Sequence, residues 1–211
     1  MNRKLFIFDF DGTLAATLPV FLRIFDEAAG KYGFRRLDRS LPLRHLDARR
    51  LMALHGIPPW KVPMIAAFMR SRMAQCLHEV RLFDGMEAVL RELRARGVLL
   101  AIVSSNSLSN VRTTLGPQIT ALFSQVECGA SLFGKPSKLR KVLAVTGIAA
   151  DDAILIGDEL RDARAAAEAG IAFGAVAWGY NQLDVLLAEQ PARVFRQVGD
   201  LLNDTAPFRP G

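Results

Sequence analysis

Asp9 and Asp11 stand two residues apart near the start of the sequence, directly after the apolar run of residues 4–8. The run has the composition of a strand that is buried on both faces, and sites in open α/β sheets form beyond the carboxyl ends of such strands. Two carboxylates at that point can share one crevice, where Gly12 permits a tight turn. Such a pair serves acid–base, nucleophilic or metal chemistry, although Asp also commonly begins a turn without any function.

Polar residues follow three later strand-like runs in the same way. These runs are short and lack the alternation of a half-exposed strand, and they lie at 98–104, 124–128 and 153–156. The polar residues after them are Ser105, Asn106, Lys135, Asp158 and Asp162. Each residue alone is weak evidence, because Ser, Asn and Asp commonly cap helices and begin turns.

The stretch Gly134-Lys135-Pro136 predicts a lysine in a loop. A residue that precedes proline is biased away from the helical conformation. We therefore expect Lys135 to lie outside the helix that the pattern of residues 137–146 predicts.

The carboxyl ends of parallel strands meet at one edge of a sheet, so these polar residues should converge. The carboxylates that would meet there are those of Asp9, Asp11, Asp158 and Asp162. They would repel one another unless they were protonated or bridged by a cation. An all-oxygen site with open positions suits Mg²⁺, and a hydroxyl and a lysine beside it, from Ser105 and Lys135, would donate to phosphoryl oxygens.

Strand and helix patterns alternate through most of the chain. Further strand-like runs lie at 172–177 and, more weakly, near 193–195. Helical patterns lie at 85–96, 108–115, 137–146, 160–169 and 182–188. This alternation predicts an α/β fold with a doubly wound, mainly parallel, Rossmann-like sheet.

Residues 15–83 break the alternation, because they contain no convincing strand. Their helix-period stretches lie near 19–32, 41–55 and 59–78. The sequence thus predicts an all-helical insert at 15–83 and an α/β core formed by residues 1–14 and 84–211.

The positive charge of the chain is concentrated in this insert. The whole chain carries a net charge of +6, whereas residues 15–83 hold 12 basic and five acidic groups and the remainder holds 15 and 16. Most of the insert's arginines are expected to be solvated, but Arg49 is a candidate for binding a second anionic group of a substrate. A basic insert could also bind nucleic acid, although no nucleic-acid motif accompanies its arginines.

Composition excludes several classes of protein. The longest uncharged runs fall short of the ~18 apolar residues of a membrane span, and Asp9 and Asp11 interrupt the only signal-like run. The two cysteines, Cys76 and Cys128, form neither a disulfide framework nor a metal motif. We therefore expect a cytoplasmic protein without membrane contact.

The order of the motifs resembles that of the haloacid dehalogenase-like (HAD) hydrolase superfamily. The matching stretches are DFDGTL at 9–14, AIVSSN at 101–106, GKP at 134–136 and IGDELRDARAAAEAG at 156–170. The resemblance covers roughly residues 1–14 and 84–200, and the insert looks like the family's helical cap domain. The phosphoglycolate phosphatase-like branch is the most similar.

The resemblance implies a role for each matching residue. Asp9 would be the nucleophile that forms an aspartyl-phosphate, and Asp11 would be the general acid and then the general base. Ser105 and Lys135 would hold the phosphoryl oxygens, with Gly12 and Asn106 at the substrate. The Mg²⁺ ligands would be Asp9, the backbone carbonyl of Asp11 and Asp158, supported by Asp162.

The resemblance also limits the classes of reaction that we expect. The dehalogenases of the superfamily lack a carboxylate at the position of Asp11, so we expect a phosphatase that acts on a small anionic phosphomonoester, with phosphoglycolate as a candidate. A phosphomutase that acts on a sugar phosphate remains an alternative, because it also keeps both aspartates. A phosphonate hydrolase would require a lysine of the insert, Lys31 or Lys61.

Glu159 departs from the small hydroxyl residue that is frequent at its position in the family, and this added charge could alter the metal preference.

Overall fold

The computed structural model describes residues 3–36, 48–129 and 134–204. The chain divides into two compact units, one formed by Met1–Ala16 with Leu82–Gly211 and the other by Thr17–Arg81. The first unit holds the sheet and the second is helical.

A six-stranded, wholly parallel sheet forms the centre of the first unit within the described residues. Its strands are β1 (Leu5–Phe8), β2 (Leu99–Val103), β3 (Gln125–Glu127), β4 (Ala153–Gly157), β5 (Ala172–Val176) and β6 (Arg193–Phe195). Their order across the sheet is β3-β2-β1-β4-β5-β6. The predicted doubly wound α/β fold is therefore confirmed. Strand β1 lies in the interior of the sheet, and all four of its residues are apolar and fully buried, as is typical of a strand covered on both faces.

The strand register brings the ends of the three central strands level. Phe8, the last residue of β1, pairs with Ile102 on one side and Ile156 on the other. The backbone N–H of Asp9 then donates to the carbonyl of Ile156 at 2.9 Å. The residues that follow β1, β2 and β4 consequently leave the sheet at the same edge.

Eight α-helices lie in the described residues. They are α1 (Leu18–Tyr32), α2 (Ala48–His55), α3 (Val62–Gln75), α4 (Met86–Ala95), α5 (Leu108–Thr120), α6 (Gly134–Thr146), α7 (Leu160–Ala169) and α8 (Leu183–Leu187). The chain breaks helical geometry within α5 at Gly116, which has φ 69° and ψ 169° and precedes Pro117. This break follows Leu115, where the sequence pattern predicts that the helix ends.

The helices of the first unit cover the faces of the sheet. On one face, Leu5 and Ile7 of β1 lie in a core cluster with Leu139 and Val142 of α6 and Ala166 of α7. Alanine at such positions allows a helix to approach the sheet closely. The other residues of β1 include two fully buried phenylalanines, Phe6 and Phe8, whose ring centroids are 6.2 Å apart.

The second unit has a small core of its own. Helices α1 and α3 contribute Phe25, Ala28 and Ile65 to it. Ion pairs at 2.8 Å join Arg23 to Glu79 and Arg72 to Glu27. Two arginines of this basic segment are thus paired with acids of the same unit. Residues 41–47 of the predicted helix at 41–55 lie outside the described part.

In the portion of the chain that the structure describes, no helix has the length and apolar character needed to cross a bilayer. The two cysteines are both free thiols, with Cys76 buried and Cys128 half-buried.

Candidate active site

A cluster of three buried carboxylates lies at the edge where the central strands end. Asp9 follows β1, Asp158 follows β4, and Asp162 lies in the first turn of α7. Each offers an oxygen within 4.8 Å of the others. Three of the four predicted metal-site residues therefore lie together. For the fourth, Asp11, the resemblance implies a ligand from the backbone carbonyl and not from the side chain.

Lys135 lies against this cluster. Its Nζ is 3.1 Å from Oδ1 of Asp9 and 2.5 Å from Oδ1 of Asp162. Burial alone would lower the pKa of Lys135, but the charges of Asp162 and Asp9 outweigh burial and hold that pKa above its ordinary value. The lysine is therefore a fixed cation between two of the carboxylates.

The prediction that Lys135 lies in a loop is wrong. Helix α6 begins at Gly134 and includes Lys135 and Pro136 in its first turn. Proline is tolerated there because the first N–H groups of a helix have no carbonyl partner within the helix. The lysine therefore projects from a rigid element.

Both oxygens of Asp158 accept hydrogen bonds. The hydroxyl of Thr13 donates to Oδ1 at 2.7 Å, and the backbone N–H of Tyr180 donates to Oδ2 at 2.6 Å. Burial first, and then the charges of Asp162 and Asp9, raise the pKa of Asp158 well above its ordinary value. The carboxylate is held in place but destabilised in its charged form unless a cation neutralises it.

One oxygen of Asp9 shows that a cation fits this cluster. Oδ1 of Asp9 accepts a hydrogen bond from the backbone N–H of Phe10 at 2.8 Å and faces Lys135. Oδ2 is buried and has no hydrogen-bond partner among the described residues. A buried carboxylate oxygen without a partner is costly, and three carboxylates exceed one lysine in charge. A hard divalent cation that takes oxygen ligands would satisfy both requirements.

Asp11 and Asn106 form a pair beside this cluster. The side-chain nitrogen of Asn106 lies 3.1 Å from each carboxylate oxygen of Asp11. We expected Asn106 at the substrate, whereas in the structure its amide contacts the expected general acid.

The end of β2 supplies two serines, Ser104 and Ser105, and only Ser105 is among the predicted site residues. Ser104 is buried and accepts a hydrogen bond from the backbone N–H of Asn106, whereas Ser105 is exposed. Both line a cleft of about 460 Å³ together with Lys135, Lys138, Arg161 and Arg164. Glu168 also lines this cleft, but the four cationic side chains outnumber that acid, so the cleft is suited to an anion.

Gly12 permits the close approach of the β1 turn to Asp158. Its φ of +79° is in the left-handed region, and a Cβ at this position would lie 2.2 Å from Oδ2 of Asp158. A side chain here would therefore push the carboxylate out of place. The prediction that Gly12 lies at the substrate remains a prediction.

The loop after β5 is the part of the site that sequence reasoning missed. The indole N–H of Trp178 donates to the carbonyl of Thr13 at 3.0 Å, and the backbone N–H of Asn181 donates to the carbonyl of Asp158 at 3.2 Å. The side chain of Asn181 caps α7 by accepting from the N–H of Leu160 at 3.1 Å. The polar and aromatic run Trp-Gly-Tyr-Asn directly after a strand was the available signal.

Comparison with known proteins agrees with this geometry. Residues 6–176 match the family model described as haloacid dehalogenase-like hydrolase. The chain belongs to that family. A phosphoglycolate phosphatase from Synechococcus elongatus is 33% identical over 199 residues, which cover 93% of this chain and 94% of that protein.

Solved structures share the fold of this HAD-like hydrolase. A haloacid dehalogenase-like family hydrolase from Streptococcus pneumoniae superposes with a TM-score of 0.84 at 22% identity, covering 95% of this chain and 97% of that one. A structure described as a predicted phosphoglycolate phosphatase from Haemophilus somnus gives a TM-score of 0.81 at 23% identity, covering 96% and 98%. The family match and the curated relatives, and not these structures, show that the chain is an enzyme of the phosphoglycolate phosphatase-like branch, and thus a phosphatase.

Gly179→Ala should displace Asp158 in this hydrolase. A Cβ on Gly179 would lie 2.0 Å from Cβ of Asp158, so the loop or the carboxylate must shift. Overpacking of this kind costs about 1–3 kcal/mol, and we expect a loss of that size in the free energy of unfolding, measured by urea denaturation. Gly199→Ala is the control, because no atom lies within 4 Å of its added Cβ. Equal stability of the two variants would contradict the expectation.

Glu159 pairs with Arg161 at 2.7 Å beside the HAD carboxylate cluster. Burial raises the pKa of Glu159 from 4.5 to about 7, although Arg161 opposes the shift. Glu159, which stands where the family frequently has a small hydroxyl residue, therefore adds a group that titrates near neutral pH.

The metal-free hydrolase should lose stability as the pH rises from about 4.5 to about 7, the interval between the unfolded and folded pKa of Glu159. In that interval the folded protein binds more protons than the unfolded chain, so raising the pH favours unfolding. Thermal melts in EDTA across this interval measure the effect, and Glu159→Gln should make the dependence shallower. An unchanged pH dependence in that variant would contradict the assignment to Glu159.

The prediction that Arg49 binds a second anionic group remains a prediction. Arg49 lies in α2 of the helical unit, and its side chain is outside the described part of the structure.

Proposed function

We propose that this HAD-like hydrolase is a Mg²⁺-dependent phosphatase that hydrolyses a small anionic phosphomonoester through an aspartyl-phosphate on Asp9. The observation that carries the proposal is the environment of Asp9. Its Oδ1 is fixed by the Phe10 N–H and Lys135, and its Oδ2 is buried without a partner among the described residues. A nucleophile should be held in one orientation in this way, with one charged oxygen left for a cation.

In the first step, an oxygen of Asp9 attacks phosphorus and the bond from phosphorus to the ester oxygen breaks. The departing ester oxygen takes a proton from Asp11 and leaves as an alcohol, and Asp11 becomes a carboxylate. Asp11 is suited to this part because its side chain lies outside the three-carboxylate cluster and is half-buried. A positioned acid of this kind contributes about 10²–10⁴-fold to a rate.

In the second step, Asp11 accepts a proton from water while the water oxygen attacks phosphorus. The bond between phosphorus and Asp9 breaks, inorganic phosphate leaves, and Asp9 returns as a carboxylate. Splitting the displacement in two lets one acid–base residue serve both halves.

Charge neutralisation is the remaining requirement for phosphoryl transfer. Lys135 is placed to contact the phosphoryl oxygens as it contacts Asp9, and the serines after β2 supply further donors in the same cleft. The Mg²⁺ ligands would be Asp9, Asp158 and the backbone carbonyl of Asp11, with Asp162 holding Lys135. A bound Mg²⁺ would supply neutralisation of the charge on the phosphoryl group and its nucleophile.

Phosphoglycolate is the substrate that we propose first. The relative from Synechococcus elongatus carries the name phosphoglycolate phosphatase, and it matches this chain over nearly its whole length. The cationic side chains of the cleft favour an anionic ester over a neutral one.

The test is release of inorganic phosphate from a panel that contains phosphoglycolate, sugar phosphates and p-nitrophenyl phosphate. We expect turnover with Mg²⁺, none with EDTA, and the highest kcat/KM for phosphoglycolate. Conversion of a sugar phosphate to its isomer in place of phosphate release would instead identify a phosphomutase. Activity that is unaffected by EDTA would contradict the proposed Mg²⁺ dependence.

A further inference from the structure

The Asn106 amide contacts Asp11 symmetrically. Its Nδ2 lies 3.1 Å from Oδ1 and 3.1 Å from Oδ2 of the carboxylate. A single nitrogen equidistant from both oxygens lies near the bisector of the carboxylate group. The contact therefore restrains the rotation of the Asp11 side chain as well as its position.

Two further donors fix which end of the Asn106 amide faces Asp11. The oxygen of the amide accepts from the backbone N–H of Ser107 at 2.8 Å and from the side-chain nitrogen of Asn110 at 3.0 Å. Asn110 lies four residues further along, so it reaches back along the start of α5. Because both neighbours donate, the amide must present its oxygen to them and its NH₂ group to Asp11.

The backbone of Asn106 is also held on both sides. Its N–H donates to the hydroxyl of Ser104 at 3.1 Å, and its carbonyl accepts from the N–H of Gly129 at 2.6 Å. The side-chain ammonium of Lys138 donates to the carbonyls of Ser104 and Gly129. The ends of β2 and β3 are thus tied together around Asn106, which is a rigid base for the contact with Asp11.

We propose that Asn106 is a positioning residue that orients the Asp11 carboxylate for proton transfer with the leaving group. This inference rests on the proposed function, and it differs from our expectation that Asn106 binds the substrate. Every hydrogen-bonding group of the Asn106 side chain is engaged within the protein, toward Asp11, Ser107 and Asn110. In this structure the Asn106 side chain therefore holds the Asp11 carboxylate.

If Asn106 positions Asp11, the rate loss in an Asn106 variant should depend on the leaving group of the ester. If Asn106 instead binds the phosphoryl group, the loss should not depend on the leaving group. An alkoxide such as that from phosphoglycolate needs a proton as it departs, whereas p-nitrophenolate leaves readily without one. A misplaced Asp11 should therefore slow the first substrate far more than the second. Loss of a contact to the phosphoryl group would slow both alike, because that group is the same in both esters.

The experiment measures kcat/KM for phosphoglycolate, or the best alkyl phosphate of the panel, and for p-nitrophenyl phosphate, both at saturating Mg²⁺. We expect Asn106→Ala to lose about 10–100-fold on the alkyl ester and less than about threefold on the aryl ester. Asn106→Asp keeps the side-chain shape but places a carboxylate against Asp11, and it should show the same selective loss. Thermal melts establish that the variants are folded.

A double-mutant cycle tests that the effect passes through Asp11. In the Asp11→Asn background, adding Asn106→Ala should cost no further activity on the alkyl ester. Ser107→Ala is the matched control, because the Ser107 hydroxyl caps α5 by accepting from the N–H of Asn110, and the substitution keeps the backbone N–H that donates to the Asn106 amide. That control should change kcat/KM by similar, small factors for both esters.

The outcomes separate the inference from the function on which it rests. Equal losses on the two esters in Asn106→Ala, or additive losses in the double mutant, would overturn the positioning role while leaving the phosphatase in place. If the wild type releases phosphate from neither ester, the proposed function is overturned and the inference with it. A selective loss that disappears in the Asp11→Asn background supports both.

Discussion

Replacing Asp9 with asparagine should abolish phosphate release and at the same time stabilise the metal-free protein. The amide cannot attack phosphorus as a carboxylate does, so we expect kcat/KM to fall by about 10⁴-fold or more. The same change removes one of the three carboxylates that lie within 4.8 Å of one another. Because Asp162 remains paired with Lys135, repulsion among the carboxylates falls while a counter-charge is retained.

The expected gain in the free energy of unfolding is about 1 kcal/mol, which corresponds to ~2–4 °C in Tm for a chain of this size. Thermal melts in EDTA measure it, and the difference from wild type should shrink or reverse when Mg²⁺ is added. Asp151→Asn is the matched control, because the Asp151 side chain is exposed, and it should alter neither activity nor Tm appreciably. A fall in the Tm of metal-free Asp9→Asn would contradict the repulsion on which the expectation rests.

The placement of the main site residues could be predicted because strand ends are determined by short-range pattern. The apolar run before Asp9 ends at Phe8, and Phe8 pairs with residues of both neighbouring strands. Once the runs are assigned to a parallel sheet, the residues after them must leave at one edge. The convergence of Asp9 and Asp158 follows from that rule and needs no knowledge of side-chain geometry.

The contacts that hold these residues could not be predicted in the same way. Thr13 and Asp158 lie 145 positions apart and meet through one hydrogen bond, which no local pattern encodes. The loop that holds Trp178 follows a strand, but nothing in its composition specifies that its indole donates to Thr13. For Lys135 the local rule on residues before proline pointed the wrong way, because the first turn of a helix relaxes that rule.

Among the described residues, an excess of buried negative charge lies against the ammonium group of Lys135. Asp158 and Glu159 both have raised pKa values, burial being the first cause in each case. Such a site lowers the stability of the metal-free protein, as is common where residues are kept for function and not for stability. Lys135 is then the residue on which the stability of the metal-free site depends most.

Replacing Lys135 with methionine should lower both activity and stability. Methionine keeps an unbranched side chain but removes the ion pairs at 3.1 Å to Asp9 and at 2.5 Å to Asp162. Breaking a buried pair by removing one partner costs about 3–5 kcal/mol, because the remaining charge is left uncompensated. Loss of a donor to the phosphoryl group should lower kcat by about 10²–10³-fold.

The way in which the stability of Lys135→Met depends on pH and on Mg²⁺ distinguishes a charge effect from a packing defect. Without Lys135, the carboxylates are destabilised most when ionised, so the stability deficit in EDTA should be larger at pH 8 than at pH 6. Mg²⁺ should recover part of the deficit, since a cation then replaces the missing charge. Lys141→Met is the matched control, because Lys141 lies on the same helix and forms an exposed ion pair with Glu127 at 2.8 Å, and it should cost little at either pH. A deficit in Lys135→Met that is independent of both pH and Mg²⁺ would mean that the lysine acts through packing alone, and the charge balance proposed for the site would then be wrong.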